Sequence, residues 1–245
     1  MKKLIMANWK MQLSLKESLE LAKQYTKKIN SKKNEVVVCP DYAAMPFLNP
    51  ILKPFGFILG AQDCAAFAYG AYTGEVSPQN IKTLGAKYVI LGHSERREHL
   101  HENSALVNGK IKAALADKLV PVLCIGEKLE ERKAGTTRDY LSQELRHSLK
   151  GVKIKTAMDL VIAYEPIWAI STNKNAKPIL PAEADLIQKF IKEQAQKILK
   201  KSVRVLYGGS VNAVNSSDFL SQSNIDGLLV GGASLKLTEF SIITN

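Results

Sequence analysis

VIAYEPIWAIST, residues 161–172, begins as an apolar run with no polar alternation and then places a carboxylate, Glu165, at its end. A strand with one face in water alternates apolar and polar residues. A continuous apolar run of this kind reads instead as a strand buried on both faces, as in a parallel sheet. Seven similar runs accompany it, so that eight recur along the chain: LIMANW (4–9), EVVVCP (35–40), GFILGA (56–61), YVILG (88–92), VPVLCIG (120–126), LVIAYE (160–165), VRVLYG (203–208) and GLLVGG (227–232). Helical patterns lie between them. KESLELAKQYTKKI sets Leu19, Ala22 and Ile29 against charges on its other face, and ENSALVNGKIKAALADK, TRDYLSQELRHSLKG and ADLIQKFIKEQAQKILKK read in the same way. Strand–helix alternation repeated eight times in 245 residues predicts an α/β protein with a closed (β/α)8 barrel around eight parallel strands. No Pro- or Ser-rich linker divides the chain, so residues 1–245 are expected to form one domain.

The bulk properties narrow the function classes. Hydrophobic residues make 46% of the chain and charged residues 23%, ordinary values for a globular protein. No uncharged apolar run is long enough to span a membrane. MKKLIMANWK lacks a signal-peptide cleavage site, and Asn8 and Lys10 break its apolar run. The net charge is +11, but the lysines scatter over helix-like segments with acids among them and without interleaved aromatics. That pattern reads as a solvated outer face rather than a nucleic-acid patch. Cys39, Cys64 and Cys124 are odd in number and have no C-x-x-C spacing, which fits buried free thiols in a reducing, cytoplasmic setting.

A barrel directs attention to the C-terminal ends of its strands, where chemistry collects. The first run ends in Asn8, Trp9 and Lys10, which offers a cation to an anionic substrate or simply marks the exit to solvent. The fourth ends in Gly92 and His93, with Ser94, Glu95, Arg96 and Arg97 reading as a helix start. A histidine at a helix N-terminus resists protonation and can donate a hydrogen bond while neutral; the alternative for a lone histidine is a ring satisfied by strand-end backbone groups. The sixth ends in Glu165, whose apolar neighbours would make it a stronger base; Trp168 and Ile170 could cover it. The alternative for Glu165 is a buried ion pair. The seventh and eighth end in YGGS (207–210) and VGGAS (230–234), paired glycines that let backbone N–H groups approach an anion. One base, one neutral donor, one lysine and a phosphate cradle suggest proton abstraction beside a carbonyl on a small phosphorylated molecule.

NWKM (8–11), GHSERR (92–97), CIGE (124–127), AYEPIWAI (163–170), YGGSV (207–211) and VGGASL (230–235) together resemble the triosephosphate isomerase family, in its order and spacing and over nearly the whole chain. That family is a known case of pKa tuning, in which a carboxylate base works beside a neutral histidine. The resemblance implies interconversion of D-glyceraldehyde 3-phosphate and dihydroxyacetone phosphate, a step of glycolysis and gluconeogenesis. It implies Glu165 as the proton-transferring base, His93 as the electrophile at the carbonyl and Lys10 as the cation, with Asn8 beside it. Glu95 resembles the family's acid near that lysine. Residues 166–176 resemble the mobile lid, and the N–H groups of Ser171, Ser210, Gly231 and Gly232 would hold the phosphate. No cofactor and no metal are implied. TGEVS (73–77) resembles a loop that inserts into a second subunit, so a homodimer is implied, with Thr73 approaching the partner's Lys10 region and Met11 near the interface.

The chain departs from the family pattern in the lid, where Ser171 and Asn173 stand in place of glycines and KPILPAEA (177–184) is longer than usual. Lost glycine freedom is expected to alter closure while the chemistry is kept, so restoring both glycines should change turnover or KM. Gln12 and Asp63 also depart and suggest no function from sequence. Three rival readings stand beside the isomerase. A metal-dependent pentose-phosphate epimerase needs paired His and acid ligands at strand ends, which are missing here. A nucleic-acid binder would rest on charge alone. A non-catalytic binding protein on an isomerase-like scaffold would be favoured by loss of Glu165, His93 or Lys10, and all three are present.

Overall fold

The eight apolar runs become eight strands in the computed structural model, which describes residues 2–169 and 179–245. They are β1 (Leu4–Asn8), β2 (Glu35–Cys39), β3 (Ile58–Ala61), β4 (Ala86–Leu91), β5 (Val120–Ile125), β6 (Val161–Tyr164), β7 (Arg204–Tyr207) and β8 (Gly227–Val230). Each pairs in parallel with the next, and β1 pairs with both β2 and β8, which closes the barrel. Every strand differs from its run in the sequence by one or two residues at an end, and at the N-terminal ends β3 and β4 move most. β3 begins at Ile58 because Gly56 is a left-handed residue ending a short helical turn, and β4 extends back to Ala86.

The helices among the described residues are α1 (Leu15–Lys28), α2 (Met45–Leu52), α3 (Pro78–Thr83), α4 (Ser94–His99), α5 (Ser104–Ala116), α6 (Leu129–Lys133), α7 (Thr137–Ser148), α8 (Pro181–Leu199), α9 (Ser216–Leu220) and α10 (Leu237–Thr244). Their ends follow local chemistry. Ser14 accepts the Glu17 N–H while the Glu17 carboxylate reaches back to the Ser14 N–H, a capping box that starts α1. Asn103 caps α5 by accepting two N–H groups. α8 starts with Pro181, where a missing N–H costs nothing.

The strands lack polar alternation because both of their faces are dry. One face of the barrel wall points inward, and Leu4, Met6, Val37, Ile90, Val122 and Leu206 are among the side chains that fill the lumen. The other face, with Ile5, Val36, Val38, Val89, Leu123 and Ile162, packs under the helices. Cys39, Cys64 and Cys124 are free and buried, and burial pushes the thiols of all three up. Among the described residues no helix is long and apolar enough to cross a membrane.

The N-terminal end of the barrel is closed by a polar knot. Arg204 at the start of β7 donates to Glu35 at the start of β2 (2.7 Å) and to the Tyr88 hydroxyl of β4 (2.7 Å), while Tyr88 and Lys87 also donate to Glu35 at 2.7 and 3.0 Å. Burial alone would push the Glu35 carboxyl up, but the hydrogen bonds from Tyr88, Arg204 and Lys87 outweigh it and hold the group down at about 2 against an ordinary 4.5. A carboxyl whose folded value is depressed contributes stability above its unfolded value, and that contribution fades as pH falls from about 4.5 toward 2. Glu35→Gln should therefore lower Tm at pH 7 by several degrees, with the gap to the native protein closing through that acid window. Thermal melts of both proteins across the window check it.

Candidate active site

The carboxyl ends of the strands bring the sequence candidates to one small cavity of about 80 Å³, lined by Asn8, Lys10, Gln12, His93, Glu165, Gly208, Gly209, Leu229, Gly231 and Gly232. A larger cavity, about 880 Å³, opens elsewhere, beside α4, α6 and α7, with Arg97, Glu144 and Trp168 in its wall. Volume does not decide between them. The larger space is lined by none of Lys10, His93 or Glu165, and the smaller one by all three.

β1 delivers Lys10 through a forced turn. The Asn8 side-chain oxygen accepts the Lys10 N–H at 3.1 Å, and the Gln62 amide, from the end of β3, donates to the Lys10 carbonyl at 2.8 Å. Held at both ends of its backbone, Lys10 sits at φ +54, a left-handed conformation that a residue with a side chain adopts only when its surroundings impose it. Its ammonium group then meets the Glu95 carboxylate at 2.5 Å.

His93 is the N-cap of α4, and it caps with its ring: Nδ1 accepts the N–H of Glu95 at 3.3 Å. An imidazole whose Nδ1 accepts from a backbone N–H carries its proton on Nε2. This hydrogen bond leaves Nε2 as the ring nitrogen that faces the cavity side, toward Glu165. Glu95 serves both neighbours, its backbone fixing the His93 tautomer and its carboxylate pairing with Lys10.

Glu165 follows β6 and is only 2% exposed. Its Oε1 faces His93 Nε2 at 3.3 Å, and its Oε2 accepts the N–H of Ser94 at 3.2 Å. Its backbone N–H donates to the Ile125 carbonyl at 2.8 Å, which continues the sheet one residue past the strand. The neighbouring strand ends must come very close to allow this. A Cβ on Gly126 would lie 1.7 Å from the Glu165 carbonyl oxygen, and one on Gly208 would lie 2.9 Å from Glu165 Cγ, so only glycine fits at either place.

The turn after β8 is held from behind. The Gly231 carbonyl accepts both the Ser234 N–H (2.8 Å) and the Ser234 hydroxyl (2.6 Å), and the Tyr25 hydroxyl of α1 donates to the Ser234 carbonyl. Gly231 and Gly232 line the cavity, and the site of a Gly231 Cβ is 3.4 Å from Lys10 Cε. Ser210 sits differently: its N–H and hydroxyl both donate to the Ala169 carbonyl, at 3.3 and 2.8 Å, and it does not line the cavity. Ser171, Asn173, Ile170 and most of the 166–176 lid segment lie outside the described residues, as does the first part of 177–184. Trp168 does not cover Glu165. Its indole N–H donates to Glu127 at 2.8 Å, where the Tyr164 hydroxyl also donates at 3.1 Å, and its ring faces the Arg132 guanidinium.

This arrangement of a buried carboxylate, a histidine, a lysine and glycine turns on one (β/α)8 barrel can be compared with known proteins. A family model described as triosephosphate isomerase matches residues 3–245. The chain belongs to the triosephosphate isomerase family. It is 43% identical over 247 residues to the triosephosphate isomerase of Dictyoglomus thermophilum, covering 98% of this chain and 97% of that one. It is 42% identical over 248 residues to that of Alkaliphilus oremlandii, covering 100% and 99% of the two chains. A crystal structure of triosephosphate isomerase from Bartonella henselae matches with a TM-score of 0.87 at 35% identity, over 99% of this chain and 98% of that one.

Triosephosphate isomerase membership accounts for the motifs that sequence reading brought together. Ser94, Gly126 and Gly208 lie within those motifs without a role read for them, and Gln62 lies outside; Ser94 holds Glu165, Gln62 holds Lys10, and Gly126 and Gly208 border Glu165. Gln12, which departs from the family pattern without a function legible in sequence, lines the cavity beside Lys10.

Proposed function

We propose that residues 1–245 form one domain that interconverts D-glyceraldehyde 3-phosphate and dihydroxyacetone phosphate by proton transfer through an enediolate. The observation that carries this reading is the convergence of Glu165, a His93 whose Nε2 faces Glu165, and Lys10 on one cavity beside the Gly231–Gly232 turn. Substrate entering between Glu165 and His93 would take the place of their direct contact. The Glu165 carboxylate removes the proton from the carbon beside the carbonyl and returns it to the neighbouring carbon. His93 Nε2–H donates to the carbonyl oxygen and then stabilises the enediolate. Lys10 offsets the phosphate and enediolate charge, with Asn8 keeping its backbone in place and Glu95 aligning both Lys10 and His93. The N–H groups of Gly231 and Gly232 bind the phosphate, and Ser210 and Ser171 join them once the Ser210–Ala169 contact is released. A cytoplasmic location fits the three free, buried thiols.

A coupled assay of glyceraldehyde 3-phosphate isomerisation tests the reaction. Turnover is the expected result; a folded protein with none would move the non-catalytic scaffold reading to first place.

The active unit we propose is a homodimer. Residues 65–76 form a loop closed at its base by the hydrogen bond from Ala65 N–H to the Val76 carbonyl (2.9 Å). On this loop Phe67 and Tyr72 stack at 4.2 Å and stand half exposed, while Tyr69 is 90% exposed, as is Met11 near the site at 92%. Apolar side chains grouped on a built protrusion fit insertion into a second copy. Sedimentation should give about twice the 27.0 kDa chain mass at micromolar concentration, and Thr73→Arg should shift it toward the monomer. A native protein sedimenting as a monomer would contradict this.

A further inference from the structure

Asp63 has no function legible in sequence, yet it is one of the most heavily paired groups in the molecule. It is 5% exposed. Both carboxylate oxygens accept from Lys110 Nζ of α5, at 2.8 and 2.7 Å, and Oδ2 also meets the Arg96 guanidinium of α4 at 2.8 Å. Glu102, between α4 and α5, completes the group: its Oε1 meets Lys110 Nζ at 2.5 Å and the Arg96 guanidinium at 2.8 Å. Two carboxylates and two cations therefore balance in a buried space. Charge there is tolerated only while it is paired, because removal of one partner leaves the other desolvated and uncompensated.

The cluster lies directly behind the reacting groups. Arg96 belongs to the first turn of α4, and its backbone N–H donates to the His93 carbonyl at 2.9 Å. Asp63 is the residue after Gln62, which holds the Lys10 carbonyl, and the Tyr42 hydroxyl fixes the Asp63 carbonyl at 2.5 Å. The end of β3 thus touches Lys10 through Gln62 and the His93 turn through Asp63 and Arg96.

We propose that Asp63 is a positioning residue for the isomerisation: its carboxylate fixes the start of α4, and with it the His93 ring and Glu95, relative to Lys10. An amide at this position would leave the cluster with one excess positive charge and take from Arg96 one of the two carboxylates that hold it. The inference rests on the reaction proposed above. The test compares the native protein with Asp63→Asn, Lys110→Gln and the double variant Asp63→Asn/Lys110→Gln, in which Arg96 and Glu102 balance again. Steady-state kinetics with glyceraldehyde 3-phosphate are measured below the Tm of every variant, together with the 15N resonances of the His93 ring.

The single variants should lose about tenfold in kcat, with KM changed less than about twofold, because a displaced donor weakens transition-state contacts more than phosphate binding. Their His93 ring resonances should shift, and the double variant, which restores charge balance but not the Asp63 carboxylate, should stay about as impaired as Asp63→Asn. Lys110→Gln carries the same test should Asp63→Asn fail to fold. Single variants with native kcat and unshifted His93 resonances would overturn the proposal, even with a lowered Tm, since that is the signature of a purely structural cluster. A double variant with native kcat would also overturn it, because charge balance alone would then suffice without the Asp63 carboxylate. If the native protein does not isomerise the triose at all, the reaction is wrong, and the His93 resonances alone still decide whether Asp63 positions that ring.

Discussion

Glu165→Gln lowers kcat for triose phosphate isomerisation by about three orders of magnitude and leaves KM and Tm close to native. The size of the loss follows from what the amide keeps and what it lacks. Its oxygen can still accept the Ser94 N–H, its shape matches the carboxylate, and it fills the same buried place between Gly126 and Gly208. It has no basic oxygen to take a proton from carbon, and a positioned base typically contributes about 10²–10⁴ to a rate. Glu165 holds no structural ion pair with lysine or arginine among the described residues, since its charged-group contact is the His93 ring. The alternative that sequence leaves open for this residue, a carboxylate buried to satisfy a cation, predicts a different outcome: lost stability with little change in rate. Paired measurements of kcat and Tm separate the two.

Lys10→Met lowers kcat/KM by about a thousandfold or more, with both KM and kcat affected. Among the described residues the ammonium group is the cation that lines the cavity, and it already compensates Glu95 at 2.5 Å. Without it, Glu95 and Glu165 remain as two negative groups, and a phosphate dianion must approach them unaided. Repulsion in the ground state raises KM, and the enediolate that forms next loses the same cation, which lowers kcat. Methionine keeps the length and the packing against Gly231, so the effect reports charge. Lys10→Arg should recover little. The backbone of residue 10 is clamped at φ +54 by Asn8 and Gln62, and the bulkier planar head cannot be re-aimed by moving the chain. Steady-state kinetics on the two variants, with competition by inorganic phosphate, check both parts.

The barrel was legible because its cause is local and repeated: the strands are apolar on both faces, and helical segments follow them, some behind a readable cap such as Ser14 or Asn103. The candidate residues of the cavity were legible because strand ends are short and carry few residues, so Lys10, His93 and Glu165 stood out against apolar runs. What supports them was not. The ring of His93 capping its own helix depends on a rotamer. The hold of Gln62 on Lys10, and the cluster of Asp63, Arg96, Glu102 and Lys110, join residues from separate elements that meet only once the barrel has closed. Trp168 read as a cover for Glu165, but the buried Glu127 carboxylate, pushed up by its own burial, competes for the indole N–H and wins. The Ser210 N–H read as a phosphate donor, and in this structure it is satisfied by the Ala169 carbonyl instead. Both differences arise from hydrogen bonds across 41 residues of sequence, which no local pattern encodes.

The central claim is that a carboxylate on this barrel carries a proton between adjacent carbons of a triose phosphate. It is tested most directly by converting glyceraldehyde 3-phosphate with the native protein in D2O and locating deuterium in the dihydroxyacetone phosphate formed. The account predicts rapid conversion with solvent deuterium at the carbon that receives the proton, because a carboxyl proton exchanges with solvent while the enediolate lives. No conversion by folded protein, or conversion in which the migrating hydrogen is wholly retained and no deuterium enters, would contradict it.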